Sequence, residues 1–257
     1  RELVALFDAA TLAAGTSYFK LAPTRQLQTD FPLSDAQKSY RKNFYRLGLS
    51  QFWFENSLEF FDELEFSSTE NSEKNSDKNS EKIFSNFSQK SESRSGNLVA
   101  FSAGKDSIFA AKTLASRGES VTLTTVGKVF SNITDKFPLD FPRLTIDRRI
   151  DPQLIELSKK PEFLNGHVPI TAVLSRILLI AATLTNQKSV IFACEQSAEE
   201  PSFHRKNLPI NHQFAKSLTA LKNFQKYLKD FVGDELEYRS LTDGFHDLPV
   251  AKAFAEN

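Results

Sequence analysis

From Asn97 the chain reads NLVAFSAGKDSIFAAKTLASRG: an apolar run, Leu98–Phe101, then a small polar turn, Ser102–Ser107, then apolar positions at helical spacing. This pattern predicts a strand, a tight turn and a helix over Asp106–Arg117. The same alternation continues downstream. Ser120–Val126, with Val121 and Leu123 alternating, predicts a second strand and Arg143–Ile146 a third. Pro152–Ser158 predicts a short helix, and Pro169–Asn186, apolar on most faces, a long buried one. Ser189–Ala193 predicts a fourth strand. In Asn211–Val232 the residues Phe214, Leu218, Leu221, Phe224 and Leu228 recur at spacings of three and four, the pattern of an amphipathic helix. Glu235–Leu241 and Leu248–Ala255 predict a last strand and helix. Strands alternating with helices predict an α/β domain, a parallel sheet with helices on both faces. Ligands on such sheets bind at the carboxyl ends of the strands, and the turn after Phe101 lies on that edge.

Two segments break this rhythm. Residues 67–95 contain NSEKNSDKNSEK, a four-residue unit read three times, with few apolar anchors. Such a segment buries too little surface to offset the entropy of ordering, so it reads as a flexible polar insertion. It divides a mixed α+β N-terminal region, residues 1–66, from the α/β region, residues 97–257. The N-terminal region is rich in aromatics, among them Tyr18, Phe19, Tyr40, Phe44, Tyr45, Phe52, Trp53 and Phe54, which read as core. Residues 35–48 look helical, and FWFENSLEFFDELEF reads as strand-like or mixed.

Composition narrows the function classes. The 257 residues carry 32 basic and 32 acidic side chains, so no net field favours nucleic acid or an anionic membrane. The longest apolar stretch, Ile170–Leu184, is short for a membrane span and carries Arg176. The single cysteine, Cys194, forms no internal disulfide, which suits a reducing, cytoplasmic setting. A chain that begins at Arg1, lacks methionine and ends at Asn257 without a stopping signal reads as a fragment, truncated at the C-terminus.

The turn carries the candidate chemistry. It fails the Walker A pattern, because Asp106 follows Gly104-Lys105 and Val99 stands where the first glycine belongs. It fails the dinucleotide fingerprint, because Ser102 and Ser107 replace glycine. What remains is a run of main-chain amides opening onto a helix start, a nest for anionic oxygens. Ser102, Ala103, Gly104, Lys105, Asp106 and Ser107 are the nucleotide-binding candidates. Asp106 does not favour phosphate directly, but it suits an Mg²⁺ ion that bridges phosphate oxygens. The duller alternative is that Ser102 or Asp106 merely caps the helix.

FSAGKDS resembles the S-G-G-x-D-S loop of the ATP pyrophosphatase (PP-loop) superfamily, with Ala103 in place of the first glycine. Three further stretches place polar groups at strand ends and helix starts: NGHVPITAVLSRILLIAA from Asn165, FACEQSAEE from Phe192 and INHQFAKSL from Ile210. In this order, and with GTSYFKLAPT, YRLGLSQFWFENSL and EYRSLTDGFHDLPVAKAFA, they resemble the UDP-N-acetylmuramoyl-L-alanyl-L-glutamate epimerase family. The resemblance covers most of the chain outside the polar insertion. It implies an adenine nucleotide alpha hydrolase-like fold and an isomerase of peptidoglycan synthesis. That enzyme takes ATP, Mg²⁺ and a UDP-linked muramoyl dipeptide and inverts the terminal L-glutamate through an acyl-adenylate.

On that reading His167, Glu195, His212 and Lys216 are the catalytic candidates. The histidines suit a base that works near neutrality, Glu195 a base or metal ligand, and Lys216 an offset for developing charge. Ser197 and Asn211 are substrate-binding candidates, with Asn211 also a candidate helix cap. Convergence of these groups on one cleft with the turn is the expectation. His204-Arg205-Lys206 reads as basic loop surface. The sequence departs from the family where Cys194-Glu195-Gln196-Ser197 replaces Asn-Glu-Arg-Ser, and where Ala215–Ser217 replaces Ser-Lys-Ser. The rival readings are another PP-loop adenylating enzyme, acting on a tRNA base or forming an amide, and a non-catalytic nucleotide-binding paralogue.

Overall fold

The structure, a computed structural model, describes residues 1–68, 93–127, 140–194, 196–242 and 252. Most of the polar insertion, Glu195 and the helix expected at Leu248–Ala255 lie outside the described residues. In chain order the elements are α1 (Glu2–Phe19), β1 (Gln26–Thr29), α2 (Asp35–Gly48), α3 (Ser50–Glu55), β2 (Glu65–Ser68), β3 (Asn97–Ala100) and α4 (Lys105–Ser116). They continue with β4 (Val121–Val126), β5 (Arg143–Ile146), α5 (Pro152–Leu157), α6 (Ile170–Leu184), β6 (Ser189–Phe192), β7 (Phe203–Arg205), β8 (Leu208–Ile210), α7 (Leu218–Phe231) and β9 (Glu237–Ser240). No described helix is long and apolar enough to cross a membrane.

The chain forms two compact units. The first takes Arg1–Glu92 together with Pro152–Pro169 and Pro201–His212; the second takes Ser93–Asp151, Ile170–Glu200 and Gln213–Asn257. Two stretches that sequence order groups with the α/β region, 152–169 and 201–212, therefore cluster with the N-terminal residues.

In the first unit α1 is a helix over a stretch for which the sequence reading named no element. Its alanine-rich composition favours helix, and Leu6, Ala9, Ala13, Thr16 and Phe19 fall on one buried face. A capping box starts α2: Ser34 Oγ accepts from the Gln37 amide at 3.3 Å, and Gln37 Oε1 accepts from the Ser34 amide at 3.0 Å. FWFENSLEFFDELEF resolves into the short helix α3 and the strand β2, which pairs in parallel with β1. Trp53, fully buried, is ringed edge-on by Phe19, Phe52, Phe60 and Phe61 at 5.2–5.7 Å, and its indole N–H donates to Tyr45 O. The basic run His204-Arg205-Lys206 is part of a β7–β8 hairpin, with Lys206 at φ 53° in the turn and paired with Glu59.

Asp8 on α1 is half-buried, and burial raises its carboxyl from 3.8 to about 6 against the opposing pull of Arg41 on α2. A carboxyl raised in the fold gives its stabilisation below the unfolded value and loses it as pH climbs through the folded value. Asp8→Asn should therefore raise the urea midpoint at pH 7, through a gain in unfolding free energy of about 1–2 kcal/mol once the solvent still reaching the group is allowed for. The gain should vanish near pH 4, and equal midpoints for both proteins at pH 7 would refute it.

The second unit is the α/β layer expected. Its five strands are all parallel in the order β5-β4-β3-β6-β9. Val99, Leu123 and Ile191 share one face and pack with Ile108, Ala111 and Leu114 of α4. On the opposite face Phe192 meets Tyr238, and Tyr238 meets Phe224 of α7 at 5.4 Å. The sheet is thus covered on both sides, which is why β3 and β6 read as unbroken apolar runs rather than alternating ones. The amphipathic segment begins later than the expected Asn211: β8 extends to Ile210, Phe214–Lys216 is a single 3₁₀ turn, and α7 starts at Leu218 with Ser217 as its cap.

Candidate functional site

The strand order of the second unit fixes where a ligand crevice lies. From β3 the chain runs outward through β4 and β5, then returns to β6 on the other side of β3. The carboxyl ends of β3 and β6 therefore flank the switch point, the usual ligand position in an open α/β sheet. Two loops meet that position, Phe101–Gly104 and the segment after Phe192.

The first loop is held at its root. Phe101 N donates to Thr124 O at 2.8 Å, and Thr125 Oγ1 donates to Phe101 O at 3.4 Å. The backbone then turns through Ala103 at φ 58°, the left-handed region where glycine is usual. The methyl group at 103 packs against the apolar cluster of Val99, Phe101 and Ile108, an offset for the strain of about 1 kcal/mol. Gly104, which has no side chain, is the N-cap of α4, and among the described residues no side chain accepts a hydrogen bond at that cap. Neither Ser102 nor Asp106 is the cap residue, and the positive end of the helix dipole lies at the turn. Ser107 departs from expectation in one respect: it is buried and its hydroxyl donates to Gly104 O at 2.9 Å. Asp106 stands in the first turn, two-thirds shielded, and pairs with Lys105 at 2.5 Å.

The second loop is tied by one hydroxyl. Ser240 Oγ accepts from the Cys194 and Thr242 amides at 2.9 and 3.2 Å and donates to Cys194 O at 2.9 Å. Cys194 is buried, a packing residue. Ser197 lies exposed in a 3₁₀ turn, Gln196–Glu199. The start of α7 is capped by side chains: Ser217 Oγ accepts from the Ala220 amide, and Glu199 accepts from both the amide and hydroxyl of Thr219. Lys216 sits exposed just before it.

The histidine candidates belong to the first unit. His167 and His212 approach edge-on, ring centroids 6.5 Å apart. His167 is half-buried; burial first, then the neighbouring His212 and Lys20, lower its proton affinity, while Glu55 works in the opposite direction. His212 is exposed and follows Asn211, whose amide donates to the buried Ser50 hydroxyl at 3.0 Å and whose carbonyl accepts from it at 3.3 Å. Asn211 is thus the pinned end of β8 rather than a helix cap.

The structure therefore assembles the sequence candidates in two groups: the turn Ser102–Ser107, Ser197 and Lys216 in one unit, and His167, Asn211 and His212 in the other. Sequence reasoning passed over Lys20, Ser50, Glu55 and Asn56, which hold the histidine segments. Lys20 stood inside GTSYFKLAPT, but an isolated lysine at a helix end gives no periodic or motif signal. Among the described residues no cluster of three or more His, Cys, Asp or Glu is arranged to hold a metal ion.

Comparison with known proteins follows the same line. The model of the MurL N-terminal domain matches residues 1–241. A UDP-N-acetyl-alpha-D-muramoyl-L-alanyl-L-glutamate epimerase of Xanthomonas oryzae pv. oryzae is 29% identical over 248 residues, 95% of this chain and 52% of the relative. Proteins with the same name from a Micromonospora species and from Salinispora tropica are each 28% identical, over 95% and 94% of this chain. The chain spans about half the length of these curated relatives. With a match that takes in both units and all but the last residues, the chain belongs to the MurL N-terminal domain family.

Proposed function

We propose that the chain is the nucleotide-activating part of an epimerase that inverts the terminal L-glutamate of UDP-N-acetylmuramoyl-L-alanyl-L-glutamate. We read its second unit, a parallel sheet with helices on both faces, as an adenine nucleotide alpha hydrolase-like, PP-loop domain. The observation that carries this reading is the strained Ala103–Gly104 turn at the sheet's switch point, opening onto a helix start whose cap is a glycine.

The chemistry answers a specific difficulty. The α-proton of a carboxylate is hard to remove, because the resulting carbanion adds to an existing negative charge. In the scheme, an oxygen of the glutamate α-carboxylate attacks the α-phosphorus of ATP. The bond from that phosphorus to the pyrophosphate oxygen breaks, leaving an acyl-adenylate. The departing pyrophosphate lies on the amides of residues 103–105 and the Ser102 hydroxyl, with Lys105 as a counter-charge. Mg²⁺, when bound, neutralises charge on the phosphate oxygens. One carboxylate, Asp106, fits a cation that takes most of its ligands from phosphate and water rather than from a protein cage. A base then takes the α-proton, and its electron pair moves into the enolate. A proton returns on the opposite face, and water releases AMP and the D-isomer. His167, kept short of a proton near neutrality, suits the base, and His212 beside it suits a proton carrier. Glu195 and Lys216 keep the roles read from the sequence, base or ligand and charge offset. Consumption of ATP and a lone reduced thiol fit a cytoplasmic reaction.

Incubated in deuterated water with Mg-ATP and the L-glutamate dipeptide nucleotide, the protein should yield AMP, pyrophosphate and a D-product labelled at the α-carbon. Release of ADP and phosphate would exclude adenylation, and an unlabelled D-product would exclude proton abstraction.

A further inference from the structure

The residues around His167 form a closed set of hydrogen bonds that sequence reasoning did not anticipate. Lys20, the residue that ends α1, places its ammonium 2.5 Å from Asn165 Oδ1 and 3.1 Å from Gly166 O. Its neighbour Leu21 accepts from the Leu164 amide at 3.0 Å. From the end of α3, Asn56 Nδ2 donates to Asn165 O at 3.0 Å, and Asn165 Oδ1 also accepts from the Gly166 amide at 2.9 Å. The carbonyls of 165 and 166 and the Asn165 side-chain oxygen are all engaged. Glu55 and Phe52, with Asn56, fill the space where a side chain at 166 would stand. His167 is the next residue along.

We propose that Lys20 is a positioning residue for His167, clamping Asn165–Gly166 so that the imidazole is presented in one orientation beside a fixed positive charge. The catalytic consequence rests on the reading of His167 as the base. Three charged or titratable groups face that imidazole: Lys20 from α1, Glu55 from α3 and His212 from the end of β8. Two of the three are basic, and the half-buried ammonium stays close because the Asn165 and Gly166 oxygens hold it. Burial and the neighbouring His212 keep a proton off His167, Glu55 opposes them, and the held Lys20 cation pushes further in the same direction as burial, so a base at this position favours its neutral form. A lysine here thus serves geometry and charge together. Its loss would release the segment and remove the electrostatic bias in one step.

The test follows the imidazole Cε1–H signal of His167 through a pH titration in wild type, Lys20→Met and Lys20→Arg. In Lys20→Met the His167 midpoint should move to higher pH, the Gly166 amide should exchange faster, and epimerisation should slow about 10- to 100-fold. The acid limb of the rate profile should move upward with the midpoint, because the base must be unprotonated. Lys20→Arg, which keeps the charge, should hold the midpoint near the wild-type value. An unchanged midpoint in folded Lys20→Met, or an unchanged rate, overturns the proposal. Should Lys20→Met fail to fold, Lys20→Gln supplies the same comparison, with the same upward movement expected and a fixed midpoint overturning it. If wild type shows no epimerisation but the midpoint and the Gly166 exchange respond, the epimerase reading fails and the clamp stands.

Discussion

Asp106→Asn should leave the protein folded and lower ATP turnover about 10²- to 10³-fold. The substitution keeps size and shape, and the side chain is on the first turn of α4, outside the core. The structural loss is confined to a carboxylate at the positive end of a helix and its pairing with Lys105, together about 0.3–1 kcal/mol. The catalytic loss is larger, since an amide oxygen is a poor substitute for an anionic ligand to Mg²⁺ beside the phosphates. Steady-state release of AMP, measured beside a thermal melt, separates the two. A turnover unchanged from wild type would return Asp106 to complementing the helix dipole, and nothing more.

Gly166→Ala should be nearly as damaging, by a different route. Gly166 sits at φ 150°, and a methyl group there would come within 3.1 Å of both Glu55 Oε2 and Phe52 Cδ2. Glu55 can swing away, but Phe52 is fully buried against Trp53 and has nowhere to go. The backbone must shift instead, at a cost of about 1–3 kcal/mol. That shift carries the neighbouring imidazole with it, and misplacement by an ångström costs a rate on the order of 10²-fold. The melting temperature and the epimerisation rate should fall together. A variant that matches wild type in both would show that the segment tolerates displacement.

Much of the second unit could be read directly from the chain, because β3 and β6 are short apolar runs bounded by turn residues, β4, β5 and β9 alternate, and α7 carries a 3.6-residue stripe. Arg143–Ile146, where Leu144 and Ile146 alternate with polar residues, was placed to the residue. The start of α7 was misplaced because Phe214 continues the apolar spacing through a 3₁₀ turn, whereas the Ser217 cap that ends the ambiguity is one small hydroxyl. The turn after β3 was visible for a chemical reason, since a polar cluster directly after an apolar strand has few structural explanations. The surroundings of His167 were not visible. Lys20 lies 145 residues from Asn165 in sequence, and a contact of that range leaves no local trace. A division into an N-terminal and an α/β part was read from the polar insertion, but the membership of 152–169 and 201–212 was hidden for the same reason: they are far from the N-terminal residues in sequence and joined to them only by folding.

Alanine at position 103 carries a consequence for the loop's own equilibrium. A β-carbon disfavours the left-handed backbone that the turn adopts, so left to itself the segment would drift toward ordinary negative φ. What holds it is the recess under the methyl group, and the shape of the turn is therefore borrowed from the packing beneath it rather than owned by the loop.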